Sequence, residues 1–411
     1  MNDRPVISVA FDPFDETLIS APYPTYHRLR SEDPVHWNPT LRCWVLTRME
    51  DVAAVFHDSN FVVTNPAQSL TELAARANRD YGPLIRVLEA IPFFTEGPRH
   101  RQSRQTLAKV INRVPLRELR PAVESIASSL CAEFNGLAEY DAIAVFAAPF
   151  PQYVIAHILG LPALDVPILD GLLARLTLIF DQASLTLYDE LNAKLVSVLH
   201  LFKSRISEAI AAGEQNGFSI FYADAPGSHE QKLAEAAASA VFLYRVGAET
   251  TIGLIGTLFR LMTERPALIE KLRECPELIP ATVSEVIRLE SNIQRVVRIS
   301  RETCVIGGKV IRVGECVMLL LGAANRDPTS FREPDDLNSC RRSIADVAFG
   351  ADRHFCLGAG LAHLEGRVAL EQMLHLPPIE QAGPEIWYPG FSVRRLSCLP
   401  VQVKKTRSID A

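Results

Sequence analysis

The stretch best suited to chemistry is Ala348-Phe349-Gly350-Ala351-Asp352-Arg353-His354-Phe355-Cys356-Leu357-Gly358-Ala359-Gly360, in which one cysteine sits in a glycine-rich loop. An apolar, helix-forming run from Leu361 to Leu376 follows directly. Backbone N–H groups at a helix N-terminus, and cations such as Arg353 and His354, favour a thiolate over a thiol. A thiolate is a metal ligand, and the surrounding glycines let backbone approach a bulky planar group closely. The plainer alternative is a small buried hydrophobe in a loop. A second such stretch is Val246-Gly247-Ala248-Glu249-Thr250-Thr251, in the middle of a long alanine-rich helical pattern from about 229 to 263. Glycine costs a helix about 1 kcal/mol relative to alanine, and adjacent threonines are poor formers, so propensity is violated where the helix is otherwise strongest. Such a conflict marks function. His100 with Arg104, and Glu285 with Arg288, share helical faces and taken alone read equally as surface pairs. Arg245, four residues before Glu249, has two open readings: an intrahelical pair with that carboxylate, or a cation for substrate.

The elements that must hold these residues are mostly helical. Helices are expected over 22–31, 49–57, from 98 through His100 and Arg104, and over 116–135, 147–159, 166–180, 189–213, 229–263, 266–275 and 276–289. Strands are expected at 43–47, 296–299, 304–306 and 309–311, with Gly307-Gly308 as a hairpin turn, and again between 387 and 403. The stretch from Phe61 to Glu96, interrupted by Pro66, Gly82, Pro83 and Pro92, reads as an irregular substrate-facing loop ending in Phe93-Phe94. No linker divides the chain. The fold class is mostly α with a small β region in one domain over residues 1–411, helix-rich over about 97–290 and 355–376 and β-rich near 35–48, 293–320 and 385–403.

Composition bounds the partners. The chain has 411 residues, 48% of them hydrophobic and 22% charged, and a net charge of -6, which gives no reason to propose nucleic acid. No apolar run approaches the roughly 20 residues that cross a bilayer, and the start reads as neither signal peptide nor anchor, so no membrane association and a cytoplasmic location are expected. The 8 cysteines are scattered without zinc-site spacing or a disulfide framework, which suits a reducing compartment.

Taken together, these motifs resemble the cytochrome P450 family in order and spacing over nearly the whole chain, from Pro22 to Val403. Phe349, Gly350, His354, Cys356 and Gly358 resemble its haem-binding loop. Gly247, Glu249 and Thr250 resemble its oxygen-activation motif, and Glu285 with Arg288 its helical Glu-x-x-Arg pair, which with Arg341 would lock the irregular stretch under the haem. The resemblance implies haem b with Cys356 as axial thiolate, its propionates held by His100, Arg104, Arg298 and His354. It implies a monooxygenase that takes O2 and electrons from a ferredoxin with its NAD(P)H-dependent reductase and oxidises a lipophilic small molecule, as in secondary metabolism. Thr250 would position protons, Glu249 would relay them to solvent, and Gly247 would leave room for oxygen. Candidate pocket walls are Phe93, Phe94, Phe242, Arg245, Val246, Ile293, Val296, Val297 and Phe391. If Arg245 faces the pocket unpaired, an acidic terpenoid or aromatic acid suits it. Arg101, Arg342 and Arg353 are candidates for a basic ferredoxin-docking patch. The chain departs from the family pattern at Asp352 and Arg395, where glycine is common, at Asp346, where histidine is frequent, and at Val246, where a small residue is usual. Two rivals stand beside this reading: a non-catalytic haem protein that binds a ligand or partner, and a peroxide-driven peroxygenase. The acid and threonine pair at 249 and 250 argues against both.

Overall fold

The computed structural model describes residues 9–181, 184–341 and 346–404. Its axis is the helix His229–Glu264, whose entry is fixed by Gln231 Oε1 accepting the backbone N–H of Ser228 at 2.8 Å. Pro266 bars its continuation. Nearly every residue from Ala240 to Phe259 is buried, so the helix is covered almost all round and serves as core for its neighbours. The helices Pro149–Leu159, Leu185–Ala211, Gly217–Asp224 and Ala359–Met373 pack against it. Ala359–Met373, which follows the cysteine, also packs on Leu116–Phe134 and Ile279–Glu290. Among the described residues no helix is long and apolar enough to cross a membrane.

To one side lies a five-stranded sheet in the order Val35–Asn38, Cys43–Leu46, Cys316–Leu320, Arg295–Ser300, Phe61–Val63. Only the pair Cys43–Leu46 with Cys316–Leu320 is parallel. The hairpin at Gly307-Gly308 forms as expected, with φ of 53° and 76° at the two glycines.

Two expectations are corrected, and one helix had not been expected. The stretch from Phe61 to Glu96 is not irregular: it holds a strand at Phe61–Val63, helices Pro66–Ala77 and Gly82–Glu89, and a short turn of helix at Pro92–Phe94. Pro66 and Pro83 sit in the first turns of those helices, where a missing N–H costs nothing, so they start elements instead of breaking them. The helix expected over 166–180 stops at Leu173 and resumes as a tighter helix, Leu176–Phe180. An unexpected helix, Gly217–Asp224, is nucleated by a reciprocal capping box between Asn216 and Ser219.

Under the cysteine loop, the Glu285 and Arg288 pair, which taken alone could have been a surface bridge, is fully buried. Arg288 Nε and Nη2 reach the two oxygens of Glu285 at 2.9 and 3.0 Å, and Arg288 also donates to the carbonyls of Asn325, Pro334 and Asp336. Glu285 in turn accepts from Arg341 Nε at 3.0 Å and from the Asn338 backbone at 3.1 Å. Burial alone would raise the Glu285 carboxyl, but these donors hold it below its ordinary range. Glu285→Ala would leave Arg288 as an uncompensated buried charge and is expected to cost about 3–5 kcal/mol in urea unfolding. Glu285→Leu with Arg288→Met should recover part of that. A loss under 1 kcal/mol for the single change would show that the network holds nothing.

Candidate functional site

The cysteine loop is closed by the Cys356 N–H donating to the Phe349 carbonyl at 2.9 Å. Gly350 takes a positive φ of 68°, and so does Asp352, at 53°. Asp352 thus adopts the left-handed backbone of the glycine common at its position, at a strain of about 1 kcal/mol. Asp346 has a local job, its Oδ1 accepting the N–H of Ala348 at 2.8 Å. Burial pushes the Cys356 thiol up, and the N–H groups of Gly358 and Ala359 with the Arg104 cation only partly offset it. The loop's own cations do not help. Arg353 turns away to pair with Glu96 at 3.3 Å and to donate to the Phe61 carbonyl at 3.0 Å.

Beside this loop, His100, Arg298 and His354 gather. The two imidazole rings lie 4.4 Å apart, and His100 Nε2 and both ring nitrogens of His354 are buried without a hydrogen-bond partner. His354 Nε2 stands 3.5 Å from Glu96, too far and unaligned to be satisfied by it. Burial, then the Arg298 and His100 charges, push His354 down to about 4. Arg298 lies over the Phe56 ring and donates only to its neighbour's carbonyl, Val297, at 2.9 Å; burial lowers it to about 10. Arg104 donates to the Phe355 carbonyl at 2.9 Å. All four expected residues thus stand around the loop with donors to spare.

The central helix presents one open face. From Ala240 to Phe259 every residue is buried except Val246, Gly247 and Thr250, which share a side at helical spacing. A Cβ at Gly247 would meet Ile155 Cδ1 at 3.1 Å, so glycine lets the helix Pro149–Leu159 pack close. One turn on, Thr251 donates to Glu365 at 3.3 Å, a fully buried carboxyl on the cysteine helix that desolvation holds well above its ordinary range.

Glu249 is not open to solvent. It is 1% exposed and bound by two guanidinium groups, Arg245 one turn before it and Arg395 Nε at 2.6 Å. Thr177 Oγ1 also reaches Glu249 Oε1 at 3.3 Å and pairs with the Tyr388 hydroxyl at 2.9 Å. Arg245 further donates to the Ala174 carbonyl at 3.0 Å. Of the two readings open for Arg245, the structure shows the intrahelical pair with Glu249. Arg395, the departure from glycine, supplies the second cation and stacks on Tyr388, 4.0 Å from the ring centroid.

Of the expected pocket walls, Phe93, Phe94 and Phe242 form an aromatic cluster with Phe180, with centroid distances of 4.4 to 6.2 Å. Ile293, Val296 and Val297 are partly exposed apolar residues. Phe391 is corrected: it is buried against Phe11, centroids 5.7 Å apart, in the core under the N-terminal segment. Thr177, Phe180, Glu96 and Tyr388 went unnoticed in the sequence, because their partners lie far off along the chain. Of the basic patch, Arg101 is exposed, Arg353 is spent on Glu96, and Arg342 lies outside the described residues.

The family model described as "Cytochrome P450" matches residues 224–376. The chain is 32% identical to the "Biotin biosynthesis cytochrome P450" of Bacillus subtilis, over 96% of this chain and 99% of the relative. It is 30% identical to the "Beta-dihydromenaquinone-9 omega-hydroxylase" of Mycobacterium bovis, over 96% and 78%. Among solved structures it is similar to a cytochrome P450 in complex with acyl carrier protein ligated to hexadec-9Z-enoic acid, with a TM-score of 0.86, 31% identity and coverage of 95% of this chain and 100% of that one.

Because two guanidinium groups share one buried carboxylate, their removal should not be additive. Arg245→Leu or Arg395→Ala alone is expected to cost about 1–3 kcal/mol in denaturant unfolding. The double change should exceed the sum by about 1 kcal/mol or more, since it strands Glu249. Additivity within roughly 0.5 kcal/mol would mean that the arginines do not share the acid.

Proposed function

The chain belongs to the cytochrome P450 family of haem-thiolate monooxygenases, and from that premise we propose that Cys356 would hold the haem iron through its thiolate. His100, Arg104, Arg298 and His354 hold the haem carboxylates in this reading, and Phe349, Gly350 and Gly358 shape the ligand loop. The observation that carries the assignment is the set of three buried, unpartnered ring nitrogens on His100 and His354 beside Arg298. Buried polar atoms without partners are rare, and a pair of carboxylates entering here would satisfy them. A metal cation on the Cys356 sulfur would likewise offset the desolvation that otherwise favours the thiol. The residues present therefore fit the group.

When bound, haem supplies the activation of O2 and the transfer of one oxygen atom to an organic substrate. The protein holds, orients and protonates. Val246, Gly247 and Thr250 form the face of the central helix turned toward the reaction, and the Thr250 hydroxyl positions a water and passes protons at Oγ1. Glu249 is the acid behind it. Its two cationic partners are unequally placed, Arg395 having 10% of its side chain open to solvent against 3% for Arg245. The substrate is a lipophilic small molecule. Phe93, Phe94, Phe180 and Phe242 on one side, and Ile293, Val296 and Val297 on the other, support it. The relative bound to a hexadec-9Z-enoic acid conjugate supports an acyl-like apolar body. The charge argument for an acidic terpenoid or aromatic acid rested on Arg245 and falls with its pairing to Glu249. Electrons come from a cytoplasmic ferredoxin and its reductase, docking near exposed Arg101 on the His100 helix.

Two measurements test this reading. The reduced, carbon monoxide-bound protein is expected to show the red-shifted Soret band of thiolate-ligated haem, and Cys356→His should abolish it; a variant that keeps the band removes Cys356 as ligand. In turnover reconstituted with a ferredoxin and its reductase, Thr250→Ala is expected to consume NAD(P)H at a rate near wild type while releasing peroxide in place of product. Unchanged coupling would reassign the proton positioning, and turnover driven by hydrogen peroxide but by no ferredoxin would favour the peroxygenase.

A further inference from the structure

Two cysteines outside the haem site meet in the five-stranded sheet. Strands Cys43–Leu46 and Cys316–Leu320 run parallel, with Cys43 opposite Cys316 and Val45 opposite Met318. In-register partners on neighbouring strands project to one face, and here that face carries Val45, Met318 and Leu320 into the core under the N-terminal segment. Cys43 Sγ and Cys316 Sγ lie 2.9 Å apart, well inside van der Waals contact for sulfur, so the two must share a hydrogen. Cys43 is 1% exposed, while Cys316, at the start of its strand, is partly open to solvent. The shared hydrogen pushes Cys43 up, with burial adding to it, and draws Cys316 down. Cys316 is thus both the more accessible sulfur and the better nucleophile.

We propose that Cys43 and Cys316 form an oxidisable dithiol, closed to a disulfide by hydroperoxides and reopened by thiol reductants. The Cys316 thiolate attacks a peroxide oxygen, the O–O bond breaks, and the departing hydroxide or alkoxide takes a proton to leave as water or alcohol. Cys43 Sγ then displaces hydroxide from the sulfenic acid at Cys316, its own proton going to that hydroxide, which leaves as water with the S–S bond formed. The two thiols are oxidised together and one peroxide is reduced. The link joins positions 273 residues apart and so constrains a long stretch of unfolded chain. It also fastens the strand that pairs directly with Arg295–Ser300, the carrier of Val296, Val297 and Arg298.

The test uses full-length holoenzyme treated with hydrogen peroxide, and in parallel with diamide, which oxidises thiols without engaging haem. Remaining thiols are alkylated under denaturing conditions and the digest is read by mass spectrometry. The expected product is the Cys43 peptide joined to the Cys316 peptide, lighter by two hydrogens than their sum, in both samples. It should disappear with dithiothreitol and be absent from Cys316→Ser and from either Cys43→Ala or Cys43→Ser, whichever folds. The unfolding midpoint of the oxidised wild type should rise above that of the reduced protein. The proposal is overturned if both cysteines remain fully alkylated after oxidant. It is equally overturned if Cys316 is carried to sulfinic acid or joined to exposed Cys340 instead.

Discussion

An irregular segment must find partners for its backbone carbonyls, and here a single side chain provides three of them. Arg288 spans from Glu285 to the carbonyls of Asn325, Pro334 and Asp336, while Glu285 gathers Arg341 and the Asn338 N–H. No helix or strand satisfies that stretch, so without the guanidinium its carbonyls would be desolvated for nothing. The cysteine loop is built on top of it: Asn325, which gives its carbonyl to Arg288, uses its side-chain oxygen to accept the N–H of Val347 at 2.8 Å. Geometry at Cys356 is in this sense inherited from Arg288.

Two groups of cations then behave in opposite ways. Around Glu249, charge is matched inside the protein, with Arg245, Arg395 and Thr177 all directed at one carboxylate. Around His354, donors outnumber acceptors, and Glu96 is drawn off by Arg353. Desolvation is tolerated in the first case because it is compensated on the spot, and in the second only if something anionic enters. The distinction between a site that is complete and one that awaits a ligand is readable from partners, not from burial.

How much of this the sequence carried follows from the range of each interaction. The cysteine loop, the interrupted helix at 247–251 and the Glu285 to Arg288 spacing are local patterns and were legible. Arg245 with Glu249 is also local, and was left open because one helical turn cannot say whether a side chain has a rival partner. Arg395 looked like a mere departure from glycine, since its carboxylate lies 146 residues away. Prolines misled in both directions: at 66 and 83 they suggested interruption where their missing N–H suited a first helical turn. Phe391 failed because a single turn at Gly390 decides which core an aromatic ring enters, and hydrophobicity is the same in either.

The left-handed aspartate at 352 has a consequence in the language of codons. Aspartate and glycine triplets differ at the middle base alone, so one transition removes both the backbone strain and a carboxylate from the ligand loop. That carboxylate is half exposed and stands 3.7 Å from Arg353. Loop stiffness and surface charge are therefore tied to the same nucleotide. Replacement by glycine moves both at once, whereas asparagine, also one base away, would remove the charge and keep a side chain that tolerates the left-handed backbone.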